Sequence, residues 1–500
     1  MLKISLNKYH LFWIFIGVLI ILTAVFTPLV DEDEGLMATI SKSMLESKDF
    51  LTPKVFGENR FDKPPLFNWF QVISFYFFGF NSFTARLPAI LFSGVWIFFI
   101  SKIQKAACPK SDSHLLFLLF FCSLQLIVIF IAGIQESLVN TCFTAMIYYF
   151  FYEDSLHPIL RKILFSCFAG FAFLAKGPFV ILLFGLIIFC IAVFLKSSKY
   201  FRFLFSIYSI FPFLILTSPW LFAVYFKHGN DFFDSFFLNH NLNRFLITKE
   251  GHGGTVFYYI GVIIVGHILI LPYFWKLLKS ILKSEIEVKS LVLLVWFVVI
   301  FIFFSFSATK LPHYILIGMP PILILISGRL ELDYRKMFWF FNSFWILIFL
   351  VLLGLYFELI PFNDFYIQSL IKDSKLEIIQ ILIFNFFVIM GFNGLFLSKK
   401  HMGDSMFLIA GLNAILTLFL FYQVGNVLQK PVIEVAEMIK SQNLKVSVQD
   451  HYNPSLAFYS DRKIKIGGKG LIFEKAKPIL PKDFKIIYQQ NGFWLIEKTN

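Results

Sequence analysis

Residues 11–30, LFWIFIGVLIILTAVFTPLV, carry no charge and run straight into Asp31-Glu32-Asp33-Glu34. An apolar run longer than roughly 18 residues can cross a bilayer. Four carboxylates at its end repel one another and gain nothing from lipid, so they mark a membrane–water boundary. On its own the acidic run is equally well a solvated loop start that helps to fix topology. The same loop continues into Phe61-Asp62-Lys63-Pro64-Pro65, where a stiff proline turn presents a lysine. A carboxylate and a lysine on one loop suit opposite ends of a transfer reaction, one at the acceptor and one at an anionic leaving group.

The apolar pattern recurs along the whole chain. Hydrophobic residues make up 58% of the sequence, and 70 of its 500 residues are Phe. This is the composition of an α-helical polytopic membrane protein. About thirteen transmembrane helices are expected, near 11–30, 84–101, 115–133, 138–152, 163–178, 179–195, 203–226, 255–275, 290–308, 311–328, 337–359, 376–397 and 406–425. Lys3 and Lys8 precede the first run as in a signal peptide. The run lacks a small-residue cleavage site and is long enough to span, so it reads as a retained anchor.

Short loops rich in Lys and Arg stay in the cytoplasm. With the N-terminus inside, the inner loops carry Lys102, Lys105 and Lys110; Arg161 and Lys162; Lys196, Lys199 and Arg202; Lys276, Lys279, Lys283 and Lys289; Arg329, Arg335 and Lys336; and Lys399 and Lys400. The net charge of +13 is therefore mostly a topology signal, and no basic module for nucleic acid is evident. An odd number of spans puts the C-terminal segment outside.

That segment changes composition near residue 428, which divides the chain into a membrane domain, 1–427, and a small outer α/β domain, 428–500. Pro431 is expected to open a helix to about Ser441. Strands are expected at 445–448, 463–466, 484–488 and 493–496, the last two joined at Asn491-Gly492. Cys108, Cys122, Cys142, Cys167 and Cys190 lie in or beside apolar runs without a CxxC pair, which argues against disulfides and cysteine-bound zinc.

On this topology the unusual polar residues share the outer face. The first outer loop, 31–83, is far longer than a connector needs to be. Glu136 follows Gln135 in one short turn, and Lys176-Gly177-Pro178 forms another. The loop 227–254 brings His240, Asn241, Arg244 and His252, and a last turn brings Lys310, Pro312, His313 and Tyr314. Singly, Lys63, Lys176 and Lys310 read as lysines snorkelling at helix ends, and the histidines as ordinary loop residues. An acid between apolar helices, as at Glu136, is costly unless solvated or paired. One outward cavity lined by all of them accounts for every placement. It suits transfer from a lipid-linked phosphate donor, with Lys63, Arg244 and Lys310 stabilising the departing phosphate and a carboxylate at the acceptor. No GxGxxG or GxxxxGKS/T cradle offers a site for a nucleotide cofactor.

The segment Asp33-Glu34-Gly35-Leu36-Met37-Ala38-Thr39-Ile40-Ser41-Lys42-Ser43-Met44-Leu45 resembles the first-loop motif of the lipid A aminoarabinose transferases. Their wider GT-C superfamily includes the dolichyl-phosphate-mannose protein mannosyltransferases. Asp62-Lys63-Pro64-Pro65-Leu66-Phe67-Asn68-Trp69, Ala85-Arg86-Leu87-Pro88, Ala175-Lys176-Gly177-Pro178, Asn241-Leu242-Asn243-Arg244-Phe245-Leu246 and Lys310-Leu311-Pro312-His313-Tyr314, with Pro320-Pro321, resemble further blocks in family order. The resemblance implies an inverting transferase in the bacterial inner membrane, using a sugar on undecaprenyl phosphate and a lipid A, glycan or protein acceptor. It implies catalytic carboxylates among Asp33, Glu34 and Glu136, with Asp33 matching the family's aspartate. Lys63 matches the donor-phosphate lysine, with Arg244 and Lys310 as further cations, and Lys176, His313 and Tyr314 line the substrate cavity. Leu36 and Met37 replace the family's Arg and Tyr. Asp62 stands in place of a metal-binding glutamate and Asn241 in place of a histidine, with His240 adjacent, so Asp62 and His240 are the candidates for a divalent metal. A transporter or lipid flippase is the rival, although no internal repeat is evident.

Overall fold

The computed structural model describes residues 8–242, 253–283, 287–397, 405–448, 453–462, 464–467, 471–475 and 483–498. Among them, seven helices are long and apolar enough to cross a membrane, or nine if each of two sharply bent helix pairs makes one crossing. Four shorter apolar helices accompany them. Each of the thirteen apolar runs is largely helical, and three of them are sharply bent or begin in a 3-10 turn. The run at 115–133 bends by 86° between helices Ser113–Phe121 and Leu124–Ile131, and the run at 255–275 breaks by 114° between Tyr258–Gly266 and Leu271–Lys283. The run at 311–328 begins as a 3-10 turn, Pro312–Gly318, before helix Pro320–Arg329.

The two bends meet. Ser123 caps the helix that follows it by accepting from the Leu126 N–H (3.2 Å), and its hydroxyl donates to the Gly266 carbonyl (3.1 Å). A side chain on residue 266 would place its Cβ 2.7 Å from Gln125 Oε1, so glycine allows the close approach. Broken helices in lipid need such partners, because no water satisfies the freed backbone groups.

The long segment 31–83 is not irregular. Helix α1 (Lys8–Phe26) leads into α2 (Asp33–Ser47), a two-stranded ribbon (β1, Lys54–Val55; β2, Glu58–Asn59), α3 (Leu66–Phe78) and the long α4 (Ser82–Ala107). Asn81 starts α4 with a reciprocal capping box with Thr84. Lys227, at the end of helix Ile207–His228, reaches Asp49 (2.9 Å) and ties the loop to the bundle.

Near the C-terminus, β3 (Val446–Val448), β4 (Lys465–Ile466), β5 (Leu471–Lys475), β6 (Phe484–Gln490) and β7 (Phe493–Lys498) form one sheet in the order β4-β3-β5-β7-β6. β3 runs parallel to β4 and β5, and the rest is antiparallel. The hairpin β6–β7 turns at Asn491-Gly492, both at positive φ as a tight hairpin requires. The central strand β5 was absent from the sequence expectation. Its Ile472, Phe473 and Glu474 are all buried, so it lacks the alternation that marks a strand.

Pro431 does not open a helix. It lies inside Ser405–Gln442, which continues from the membrane-type run into the polar segment. Proline cannot donate to the carbonyl four residues back. Here that carbonyl, of Val427, accepts from Asn491 Nδ2 instead (2.7 Å), so the helix passes through.

Candidate active site

Six separate segments of the chain converge on a cavity of about 380 Å³. Asp33 comes from the first turn of α2, and Asp62 and Lys63 from the turn ahead of α3. Gln135 and Glu136 come from the start of helix Glu136–Ile147. Lys176, Pro178, Phe179 and Leu182 flank a helix-to-helix turn, and Phe237 and His240 sit on the π-helical stretch Asp234–Leu242. Phe303, Phe304, Ser307, Thr309, Leu311, His313 and Tyr314 close the far wall. The polar groups sit in turns or near helix ends, where the backbone can leave the apolar layer.

Glu136 is buried at 3% exposure and holds two partners through Oε1, an ion pair with the Lys176 ammonium and a contact with His313 Nε2 (2.9 Å). This pairing is what a buried acid between apolar helices needs. Its other oxygen, Oε2, has no hydrogen-bond partner among the described residues. The Lys176 ammonium also lies 4.8 Å from the centre of the Tyr314 ring.

Asp62 accepts from Arg60 Nε (2.9 Å). Burial by itself would push its acidity down. The Arg60 guanidinium, the Lys63 ammonium and His240 outweigh that and hold its pKa at about 2. Asp33 is exposed at the cavity edge, and no ion pair occupies it among the described residues.

Two candidates are not brought into the cavity. Glu34, one residue after Asp33, points the other way and is 4% exposed. Its Oε1 and Oε2 pair with Arg86 Nε (2.8 Å) and Nη2 (2.6 Å), and it accepts from the backbone N–H groups of Val30 (2.9 Å) and Gly133 (2.6 Å). A carboxylate so fully engaged has no capacity left for a substrate proton, so Glu34 is a structural residue. Lys310 is also buried, and its ammonium donates to the Ser307 carbonyl. It is not among the residues that line the cavity. Arg244 and His252 lie outside the described residues, as does the side chain of Asn241.

Asp62 and His240 face the same cavity, but among the described residues no group of three His, Cys, Asp or Glu side chains is arranged to hold a metal ion. Asp62 is paired to Arg60, and the chemistry proposed for this cavity uses no metal.

Sequence reading missed the aromatic lining. Phe237, Phe303 and Phe304 come from distant elements, and in a chain with 70 Phe residues nothing distinguishes these three. It also gave Arg86 no role, although an arginine inside an apolar helix signals a buried partner.

The chain is similar to known proteins in both sequence and fold. Residues 62–222 match the family model described as dolichyl-phosphate-mannose-protein mannosyltransferase. An uncharacterized protein of Aquifex aeolicus is 30% identical over 65% of this chain and 73% of its own length. The undecaprenyl phosphate-α-4-amino-4-deoxy-L-arabinose arabinosyl transferase of Photorhabdus laumondii is 27% identical over 59% of this chain. That match spans about half, 54%, of the relative's length. In fold, the chain superposes on ArnT from Cupriavidus metallidurans bound to undecaprenyl phosphate with a TM-score of 0.81, covering 97% of both chains at 18% identity. The molecule is thus a multi-pass, mostly helical membrane protein of the GT-C glycosyltransferase class. It belongs to one family with the Aquifex aeolicus protein, and its residues 62–222 form a domain of the dolichyl-phosphate-mannose-protein mannosyltransferase family.

Proposed function

We propose that this chain transfers a sugar from a polyprenyl phosphate, undecaprenyl phosphate in a bacterium, to lipid A, another envelope glycan or a protein. In this reading thirteen crossings place the N-terminus in the cytoplasm, and the cavity and the C-terminal sheet face the periplasm. The observation that carries it is the meeting of Asp33 and Lys63 in one cavity that also has an apolar, Phe-lined wall. The acceptor hydroxyl attacks the anomeric carbon while the bond to the phosphate oxygen breaks, and the hydroxyl proton passes to Asp33. Lys63 stabilises the negative charge that grows on the leaving phosphate. Glu136 Oε2, which has no partner among the described residues, accepts a hydroxyl or ammonium group of the sugar, and the aromatic wall receives the first prenyl units.

The test is sugar release from a panel of radiolabelled polyprenyl-phosphate sugars by purified protein with mixed envelope acceptors, wild type beside Asp33→Asn. Release that depends on Asp33 supports the reading, and no release from any competent donor overturns it. Lys63→Ala is expected to raise the KM for the lipid donor about tenfold or more. A charge-assisted contact of about 1.5–3 kcal/mol is lost. Unchanged donor kinetics would remove Lys63 from the phosphate site.

A second reading, a lipid flippase or other transporter, draws on the two broken helices that meet at Ser123 and Gly266. It calls for movement of the intact donor across liposomes without sugar release, which the same labelled donors would reveal.

A further inference from the structure

The helix Pro454–Ser460 does not pack within its own sheet alone. It lies along α2, the helix that begins at Asp33. At the N-terminal end of α2, Asp31 Oδ1 accepts from the Ser455 backbone N–H (3.1 Å), and Oδ2 accepts from the Ser455 hydroxyl. Gln429 completes the contact, with its carbonyl oxygen accepting from the Asp31 N–H (2.9 Å) and its amide donating to Ser455 Oγ (3.0 Å) and Leu29 O (3.2 Å). Further along α2, Thr39 Oγ1 donates to the Pro454 carbonyl (2.7 Å). Lys42 reaches the Phe458 carbonyl (3.1 Å) and Asp461 (2.5 Å). On the other side the Tyr459 hydroxyl accepts from the Leu29 N–H (2.7 Å) and meets Ser82 Oγ (3.2 Å).

The approach is close. A Cβ on Gly35 would come within 2.0 Å of Asp31 Oδ1 and 2.8 Å of Ser455 Cβ, so only glycine admits this clasp. Of these contacts, the Asp31–Ser455 pair sits two residues from Asp33, at the turn that opens α2.

We propose that helix Pro454–Ser460, through the Asp31–Ser455 clasp, is a positioning device that holds the first turn of α2 so that Asp33 faces the transfer cavity. Asp31 and Ser455 are then positioning residues and touch no substrate. The proposal rests on the transferase reading for its kinetic consequence, while its structural half stands alone. A carboxylate swung by about 1 Å from its productive place costs up to roughly 10²-fold in rate without altering donor binding.

The experiment uses the full-length purified chain and two readouts. In sugar release, Asp31→Ala and Ser455→Ala are expected to lower kcat by about 10–100-fold, with the donor KM within about twofold of wild type. Asp31→Asn is expected to restore most of kcat, because an amide still accepts from the Ser455 N–H and donates to its hydroxyl. Burial pushes the Asp31 carboxyl up to about 7 despite the Ser455 hydrogen bonds, so an uncharged group is well tolerated there. In hydrogen exchange, amides of residues 34–38 are expected to exchange at least about tenfold faster in Asp31→Ala and Ser455→Ala, and at the wild-type rate in Asp31→Asn. Unchanged exchange overturns the proposal. So does a loss that appears in KM with kcat intact, or one that Asp31→Asn shares in full. If wild type releases no sugar, the transferase reading fails while exchange still decides the clasp. If Asp31→Ala does not fold, Ser455→Ala carries the same comparison.

Discussion

Asp33→Asn is expected to reduce sugar transfer by about 10²–10⁴-fold, the contribution of a well-placed general base. The substitution keeps the side chain's size and its place in the first turn of α2, and removes the charge and the ability to accept a proton. Asp33 is exposed to the cavity, and no ion pair holds it among the described residues, so little stability depends on it. Membrane insertion and thermal unfolding should therefore match wild type while single-turnover release collapses. The neighbouring carboxylate serves as an internal control. Glu34 is saturated by Arg86 and two backbone amides, so Glu34→Gln should lower the unfolding temperature without abolishing release from protein that remains folded. A rate for Asp33→Asn within about threefold of wild type would take Asp33 out of the catalytic role.

Arg86→Ala is expected to be among the most destabilising single changes in the chain, at about 3–5 kcal/mol. Arg86 has no solvent exposure, and its guanidinium ties α2 to the end of α1. It forks onto Glu34 in α2 and donates to the carbonyls of Ala24 (3.1 Å), Thr27 and Pro28 (2.7 Å) around the end of α1, while Glu34 in turn accepts from Gly133. Deleting it strands a buried carboxylate and three backbone acceptors where lipid and protein leave no water. Arg86→Lys should rescue little, because one ammonium cannot reproduce the planar fork. Thermal unfolding in detergent checks this, and an unchanged midpoint for Arg86→Ala would show that the Glu34 pair carries no weight.

The parts of the fold legible in the sequence were those carried by local pattern. Uninterrupted apolar runs marked the helices, because a span in lipid must be apolar along its whole length. Lys63 and Asp62 were readable from the prolines that follow them, and Glu136 and Lys176 from the cost of a charge at a helix end within an apolar stretch. All of these line the cavity. The sharp bends at 122–123 and 267–270 were not readable, since the apolar character continues through them and the groups that satisfy the break, Ser123 and Gly266, are far apart in sequence.

Tertiary structure decided which way each polar residue faces. Asp33 and Glu34 are adjacent and chemically alike, yet one opens onto the cavity and the other is locked to Arg86, because successive residues on a helix point about 100° apart. Lys310 carries as strong a sequence signal as Lys63 but turns inward to the Ser307 carbonyl. Pro431 reads as a helix start, and only Asn491, sixty residues on, supplies the hydrogen bond that lets the helix continue. Asp31 looked like one more charge in an acidic run until helix Pro454–Ser460 was laid against it. Composition and spacing determined that this chain crosses a membrane repeatedly and gathers charge at one boundary, since each residue's partition between lipid and water is a local matter. The division of those charges between structure and chemistry was set by partners hundreds of residues away, which only the folded chain brings within hydrogen-bonding distance.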